Sequence, residues 1–282
     1  MKATDLYNQL EKDFVKEGMW DEWATYMTEI EEYLSPQFIK RSMGVVCDFA
    51  ENINKVYTAV FPSEKVMEKI LSDNITDAML FVHHASIWDI RKPSVFYTMD
   101  KTLLEKMKKN RISVFCFHVP LDNYSEYGTT KSLADALGIE FEKTFAPYRE
   151  AMAGVIGKTQ CRTVAELSEL YTKTVGHQTK LYAYGDNEIK DGRVAVVAGG
   201  GNDMSIVPEL LDHDIKTYIT GVTLISEYSK NVHDFEKEHC INVLGGTHYS
   251  TESFACKNMC GYFEKLGLPS VFIEDTPIFE DM

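Results

Sequence analysis

Hydrophobic and polar positions follow two different rhythms along this chain, and the first covers its beginning. Residues 5–34 repeat acidic, basic and aromatic positions at helical spacing until Ser35-Pro36 ends the pattern. Such a repeat predicts an amphipathic helix or a pair of helices, with an apolar stripe that packs on its own domain more often than on a partner. The stripe consists of Leu10, Phe14, Met19, Trp23 and Met27. We assign no chemistry to this segment.

The second rhythm begins near residue 56, where short β-branched or aromatic runs alternate with helical stretches. This alternation is typical of βαβ units, so it predicts an α/β fold with mainly parallel or mixed sheets flanked by helices. The expected strands are 56–60, 78–82, 112–117, 194–198, 217–219, 241–244 and 271–273.

The middle of the chain interrupts this rhythm. Residues 144–157 appear irregular in sequence, and residues 182–192 are rich in Gly, Asp and Asn. We therefore expect an N-terminal helical extension (1–40), a first α/β lobe (41–145) and a second α/β lobe (146–282). A chain of 282 residues is long enough for two such lobes, each with its own core.

Composition and charge narrow the class of function. Acidic residues outnumber basic ones by 43 to 29, and the formal charge of -14 would repel a nucleic acid duplex. Neither a signal peptide nor a membrane-spanning run of roughly 20 apolar residues is evident, so we expect a cytoplasmic protein. The six cysteines are scattered without a CxxC pair, and we expect no disulfides.

Two histidines follow the expected strand 78–82 directly. Residues after strands carry most weight, because the carboxyl ends of strands form the ligand crevice of open α/β sheets. In mid-strand, His83 and His84 would point to opposite faces and could hardly chelate one ion. At a strand end, each of the two rings can bind a different ion of a metal pair. The alternative is two polar residues that open a loop.

A second polar group follows the expected strand 112–117. Pro120 ends that strand, and Asp122 is then available as a hard oxygen ligand. His118 has three possible roles: an outer partner that orients a ligand, a general acid or base that faces the substrate, or a buried histidine with ordinary hydrogen bonds.

A third group follows strand 241–244 and a glycine turn. His248 and Glu252 are four residues apart and can share one face of a helix. A glutamate can bridge two cations with its two oxygens. Cys256 and Cys260 continue the four-residue spacing, either as an extension of a metal site or as small residues on the packed side of the helix.

A glycine run at residues 199–201 stands between a strand and an expected helix at 206–211. Its backbone N–H groups could bind an anion at the helix N-terminus, but the run lacks the residues of a P-loop and the spacing of a dinucleotide fingerprint. A tight turn between strand and helix is the simpler interpretation.

Together the three groups resemble the signatures of the Nif-three-like dinuclear-metal proteins, also called GTP cyclohydrolase I type 2 homologs. The resemblance extends from about residue 56 to the C-terminus, whereas the first 40 residues match poorly. It rests on His83-His84 with Trp88, His118-Val-Pro-Leu-Asp122, and the motif from Gly246 to Glu252.

The resemblance implies a ligand set and an architecture. Two divalent metal ions would lie in a cleft between two similar α/β lobes, and the part of the chain after about residue 240 would return to that cleft. The implied ligands are His83, His84, Asp122, His248 and Glu252. The resemblance also implies a ring-shaped homohexamer. Four positions depart from the family pattern, namely Phe61, Ala85, Val222 and Thr247, and these leave the substrate open.

The ligand set favours two hypotheses about function. Histidines and carboxylates suit zinc, iron or manganese in an open site, where water becomes a nucleophile. The first hypothesis is therefore a metal-dependent hydrolase with His118 in proton transfer. The resemblance suggests a small substrate such as a purine nucleotide, with GTP ring opening as the named activity. The second hypothesis is a non-enzymatic, metal-dependent oligomer or regulator that binds a protein partner.

Overall fold

The computed structural model describes residues 1–88, except the side chain of Trp88, and residues 96–282. The chain divides into two compact units. The first comprises Met1–Leu121 and Cys256–Asp275, and the second comprises Asp122–Ala255 and Thr276–Met282. Each unit is built on a mixed sheet flanked by helices, so the predicted α/β class is confirmed.

The sheet of the first unit has five strands in the order β1-β6-β3-β2-β13. The central strands and β13 are parallel, and the edge strand β1 is antiparallel to β6. A two-stranded sheet, β4 with β5, stands apart from it. The strands are β1 (Gly44–Cys47), β2 (Lys55–Ala59), β3 (Ala78–Val82), β4 (Ile87–Trp88), β5 (Phe96–Tyr97), β6 (Ile112–Cys116) and β13 (Ser270–Phe272).

The helices of the first unit cover both faces of this sheet. One face packs in a core with Trp23, Met27 and Phe38, and the other carries the aromatic contacts of Phe81 and Phe115. The helices are α1 (Ala3–Phe14), α2 (Pro36–Arg41), α3 (Glu64–Ser72) and α4 (Lys101–Lys109), followed by the single turn α5 (Val119–Asp122) at the unit boundary.

The prediction of a helix or helix pair over residues 5–34 is only partly right. Helix α1 ends at Phe14, the chain turns through Gly18 with φ of 85°, and two short 3₁₀ segments follow at Trp23–Tyr26 and Thr28–Tyr33. All five stripe residues are nevertheless buried. The apolar spacing therefore marked residues that pack on their own unit, although most of the segment is not α-helical.

The sheet of the second unit has six strands in the order β7-β8-β10-β11-β12-β9. Strands β10, β11 and β12 are parallel, and the flanking strands are antiparallel to their neighbours. The strands are β7 (Glu140–Tyr148), β8 (Ala151–Lys158), β9 (Lys180–Tyr182), β10 (Arg193–Val197), β11 (Thr217–Thr220) and β12 (Asn242–Gly245).

The strands of this sheet bury both faces. Val194 and Val196 face one apolar cluster, and Ala195 and Val197 face another, as the two-residue period of a strand requires. The helices are α6 (Thr129–Ala136), α7 (Val164–Val175), α8 (Glu209–Asp212), α9 (Lys230–Glu238) and α10 (His248–Lys265), of which α10 continues into the first unit at Cys256.

Two expectations about the second unit were wrong. Residues 144–157, interpreted as irregular, form most of the β7–β8 hairpin, and the helix expected at 206–211 is reduced to the turn α8. The hairpin escaped notice because the edge strand β7 is exposed and polar in part, and because Gly154 and Gly157 interrupt the apolar run of β8.

All six cysteines are free thiols. Cys256 is buried, and its Sγ lies 3.2 Å from the carbonyl oxygen of Ala59, while Cys260 Sγ lies 3.3 Å from Thr58 Oγ1. Both thiols of α10 thus pack against strand β2. Among the described residues, no helix is long and apolar enough to cross a membrane.

A buried carboxylate in the second unit predicts a pH dependence of stability. Glu236 is fully buried, with one oxygen 3.1 Å from His233 Nδ1. Burial raises the pKa of Glu236, and hydrogen bonding to His233 and Asn202 opposes part of that rise. Because the unfolded state ionises first as pH increases, this carboxyl group destabilises the fold above its ordinary pKa of about 4.3.

Replacing Glu236 with glutamine removes this pH-dependent cost. We expect Glu236→Gln to unfold at a higher temperature than the wild type at pH 7.5, with a smaller difference at pH 4.5, as measured by thermal unfolding. Glu238→Gln, a change at an exposed residue of the same helix, is the control and should show no such difference. A lower melting temperature for Glu236→Gln at pH 7.5 would contradict the expectation.

Candidate metal centre

Three histidines of the first unit converge at the carboxyl ends of two neighbouring strands. His83 and His84 follow β3 directly, and His118 follows β6 after one residue. Since β3 and β6 are parallel and adjacent, their ends lie side by side. The ring centroids of the three histidines are 4.3 to 5.1 Å apart. One ring nitrogen from each lies within 4.8 Å of the others.

This three-histidine cluster (His83, His84 and His118) is largely shielded from solvent. His83 is fully buried, and His84 is 2% exposed. The Nδ1–H of His83 donates to the carbonyl oxygen of Phe117 at 3.0 Å. A backbone carbonyl in this role fixes the ring and leaves Nε2 as the nitrogen with a free electron pair, as metal-binding histidines require.

Aromatic rings enclose the cluster. Phe61 stacks on the ring of His84 with centroids 4.8 Å apart, at a position where the family resemblance leads us to expect an acidic residue. The indole of Trp23 meets His84 and His118 edge-on, at 5.5 and 5.3 Å. These rings form apolar walls in which an imidazole interacts more strongly with a cation than it would in water.

The second unit places the other predicted His and Glu side by side. His248 is the first residue of α10, and Glu252 lies one helical turn further on. His248 Nε2 and Glu252 Oε1 are 3.2 Å apart, and both side chains are nearly buried. The predicted sharing of one helical face is thereby confirmed for this pair.

Polar contacts fix the beginning of α10. Thr247 Oγ1 accepts a hydrogen bond from the backbone N–H of Ser250 at 3.0 Å, and Ser250 Oγ accepts one from the N–H of Thr247 at 3.2 Å. This is the reciprocal arrangement of a capping box. The backbone N–H of His248 donates to Asp281 Oδ2 at 2.9 Å. Thr247, one of the four departures from the family pattern, therefore has a role in starting the helix.

The glycine run after β10 acts as a tight turn beside this pair. Gly199 has φ of 72°, and a Cβ there would lie 2.1 Å from Glu252 Oε1. Its N–H donates to Thr251 Oγ1, and its carbonyl oxygen accepts from the N–H groups of Gly221 and Val222. The absence of a side chain at Gly199 leaves the space that the Glu252 carboxylate occupies.

Asp122 stands at the end of α5 in the second unit, half-buried. Its Oδ1 accepts a hydrogen bond from Thr129 Oγ1 at 2.9 Å. A hydroxyl that donates to one carboxylate oxygen holds the group in place.

The donor set fits a divalent ion. Neutral imidazole nitrogens and carboxylate oxygens are the ligands that zinc, iron(II) and manganese accept, and no thiol contributes to the histidine clusters found among the described residues. His83 shows the orienting backbone contact that such a site needs. The histidine and glutamate groups of this chain could therefore hold a metal ion.

The sequence interpretation missed two residues beside the three-histidine cluster. Asp21 and Trp23 belong to the segment to which no chemistry was assigned, yet Asp21 Oδ2 lies 2.6 Å from His118 Nδ1. Neither residue follows a strand or belongs to a recognisable motif. Their role arises from a contact between positions 97 residues apart, which local spacing does not encode.

Comparisons with known proteins show which proteins this chain is similar to. The chain is 28% identical over 244 residues to the GTP cyclohydrolase 1 type 2 homolog of Pyrococcus horikoshii, covering 84% of this chain and 90% of that protein. It is 27% identical over 202 residues to the protein of the same name from Borreliella burgdorferi, covering 72% of this chain and 75% of the relative.

Solved structures share the fold. Protein ybgI, described as of unknown function, superimposes with a TM-score of 0.74 at 21% identity, covering 99% of this chain and 100% of that one. Reduced HcgD from Methanocaldococcus jannaschii gives a TM-score of 0.67 at 22% identity and covers 98% of both chains. The family model Duf34/NIF3 matches residues 25–277. The resemblance inferred from the three motifs is confirmed, and the chain belongs to the Duf34/NIF3 (NGG1p interacting factor 3) family.

Proposed function

We propose that this chain binds two divalent metal ions and acts as a metal-dependent hydrolase on a small substrate. The proposed ligands are the five residues that the three motifs supply: His83, His84, Asp122, His248 and Glu252. The observation that carries the proposal is the three-histidine cluster, in which His83 is already oriented through its Nδ1–H. Divalent ions would supply Lewis acidity and make water a nucleophile near neutral pH.

His118 is the proposed residue for proton transfer. Its side chain is 14% exposed, whereas the rings of His83 and His84 are almost fully buried, so it is the more accessible ring of the cluster. It stands next to the proposed ligands, where a proton acceptor is useful in hydrolysis. Purine nucleotides are the substrate class to test first, because relatives are named GTP cyclohydrolase 1 type 2 homologs.

The test is a screen of the purified, metal-loaded protein against nucleotides, phosphoesters and small amides. We expect turnover that His118→Ala reduces on the order of 10²-fold or more while the metal content is retained. His177→Ala, a change at a half-buried histidine of the second unit that is not among the proposed ligands, is the control and should keep full turnover. Absence of turnover with every substrate class would count against an enzyme.

Metal stoichiometry tests the ligand set separately from catalysis. Five ligands that include one carboxylate able to bridge suit two ions better than one. Elemental analysis of protein purified without chelator should approach two metals per chain. One metal or none, even after reconstitution with zinc, iron and manganese, would contradict the dinuclear proposal.

A second candidate function is a metal-dependent assembly that contacts other proteins. The observation in its favour is a group of exposed apolar residues in two segments of the second unit. The carbonyl oxygen of Asp281 accepts hydrogen bonds from the backbone N–H groups of Thr223 and Leu224 and so connects the two segments. The exposed residues are Ile225, Tyr228, Ile278 and Phe279. Exposed apolar groups of this kind often mark protein contacts.

Assembly has its own measurement. We propose that the protein is cytoplasmic and forms a homohexamer. Light scattering should then give about six times the 32.1 kDa mass of the chain. A clean monomer at micromolar concentration would contradict this proposal. Activity without assembly would favour the hydrolase alone, and assembly without activity would favour the second candidate.

A further inference from the structure

A buried carboxylate from the N-terminal segment contacts the proposed proton-transfer residue. Asp21 Oδ2 lies 2.6 Å from His118 Nδ1, and the side chain of Asp21 is only 3% exposed. Asp21 lies before the part of the chain that matches the family model, which begins at residue 25. The contact is therefore a feature of this chain that family membership does not imply.

The backbone around Asp21 is held on both sides. The N–H of Asp21 donates to the carbonyl oxygen of Arg41 at 3.1 Å, and the N–H of Ala24 donates to Ser42 Oγ at 2.9 Å. The N–H of Glu22 donates to Asp21 Oδ1 at 2.8 Å. One carboxylate oxygen is thus engaged by the backbone, and the other is directed at His118.

This arrangement selects one tautomer of His118. An ionised carboxylate only accepts hydrogen bonds, so the proton between the two groups belongs to His118 Nδ1. In a neutral imidazole the other nitrogen, Nε2, then carries a free electron pair. A ring nitrogen of His118 lies within 4.8 Å of those of His83 and His84, and Nδ1 is already engaged by Asp21. Because Nδ1 contacts Asp21, we take Nε2 as the nitrogen of His118 that faces the cluster.

Trp23, two residues after Asp21, covers the same rings. Its indole is 7% exposed and contacts both His84 and His118 edge-on. A wall of this kind limits the access of water to the rings, so that the carboxylate rather than solvent decides the tautomer. The segment from Asp21 to Trp23 thus provides both an orienting group and a cover.

We propose that Asp21 is a positioning residue, which holds His118 in the Nδ1–H tautomer and keeps Nε2 unprotonated toward the three-histidine cluster. The tautomer itself follows from the geometry of the first unit. Its use in proton transfer rests on the proposed function.

The variant Asp21→Asn should reverse the tautomer. The N–H of Glu22 would keep the amide oxygen of the new side chain as its acceptor, which turns the NH₂ group toward His118. An NH₂ group donates, so His118 Nδ1 must accept, and the ring proton moves to Nε2. A proton on Nε2 blocks the nitrogen that faces the cluster.

The tautomer can be read directly by long-range ¹H–¹⁵N NMR of histidine-labelled, metal-free protein, with the His118 signals assigned by their loss in His118→Gln. We expect the Nδ1–H form in the wild type and the Nε2–H form in Asp21→Asn. In metal-loaded protein, Asp21→Asn should retain its metal content and lower any turnover found in the screen on the order of 10²-fold. Glu22→Gln removes the same charge one residue away and should leave tautomer and turnover unchanged.

An Nε2–H tautomer in the wild type would overturn the proposal, and this measurement does not depend on the folding of any variant. An unchanged Nδ1–H form in Asp21→Asn would overturn it as well. Since both readings use metal-free protein, they stand apart from the proposed function: a chain without turnover or metal can still show the Asp21-selected tautomer, and an active hydrolase can lack it.

Discussion

Glu252→Gln should remove most of the metal from the protein. The side chain of Glu252 is 3% exposed, and its Oε1 lies 3.2 Å from His248 Nε2. If this carboxylate lies between two cations, a neutral amide of the same shape leaves them to repel each other in a weakly screened site. We expect the metal affinity to fall at least about 100-fold, because loss of a residue that only orients a ligand already lowers it by about 10- to 100-fold. Elemental analysis after dialysis measures it.

Cys256→Ser is the matched control on the same helix. Cys256 lies one turn after Glu252, is fully buried, and contacts the carbonyl oxygen of Ala59 through its Sγ. The change should leave the metal content near two per chain and cost at most modest stability. If Cys256→Ser lost its metals while Glu252→Gln kept them, the proposed ligand set would be wrong.

Gly199→Ala should lower both stability and metal content. An alanine at φ of 72° adopts a backbone conformation that costs about 1–2 kcal/mol. Its Cβ would also lie 2.1 Å from Glu252 Oε1 and 3.2 Å from His248 Cδ2, so the carboxylate must move. We expect a free energy of unfolding lower by roughly 2–3 kcal/mol and a weaker metal affinity, measured by denaturant titration and chelator competition.

Gly176→Ala separates the two effects. Gly176 follows α7 with φ of 79°, but a Cβ there meets nothing within 4 Å. This variant has the same backbone cost without the clash, so it should lose about 1 kcal/mol of stability and no metal affinity. If Gly199→Ala and Gly176→Ala bound metal equally well, the close approach of Gly199 to Glu252 would have no part in metal binding.

Local patterns in the sequence correctly predicted the central strands and the positions of the His and Glu motifs on the strands and helices. Each of the seven expected strands occurs within a residue or two of its predicted bounds, because a buried strand needs an uninterrupted apolar run. The placement of His83 and His84 after a strand, and of His248 and Glu252 on one helical face, follows from spacing alone. These features depend on residues close together in the chain.

Edge strands and irregular segments were harder to predict. Strands β1, β4, β5, β7, β8 and β9 were not expected, and the N-terminal segment was interpreted as a helix or a pair of helices although its α-helix ends at Phe14 and the chain turns at Gly18. The edge strands β7 and β9 have several exposed or half-buried residues, so their sequences lack a distinct apolar run, whereas β1 is buried but only four residues long. Apolar residues at helical spacing can also be buried by 3₁₀ turns, so this spacing does not distinguish an α-helix from the two 3₁₀ segments found here.

Only the tertiary structure placed Asp21 and Trp23 beside His118, turned the Nδ1–H of His83 toward Phe117, and put Gly199 against Glu252. The sequence by itself determined which residues carry groups that could bind a metal and which strand ends present them, because those properties depend on residue type and on spacings of a few residues. Which group orients each of these side chains depends on contacts between residues tens of positions apart, and such contacts form only when the sheets and helices pack.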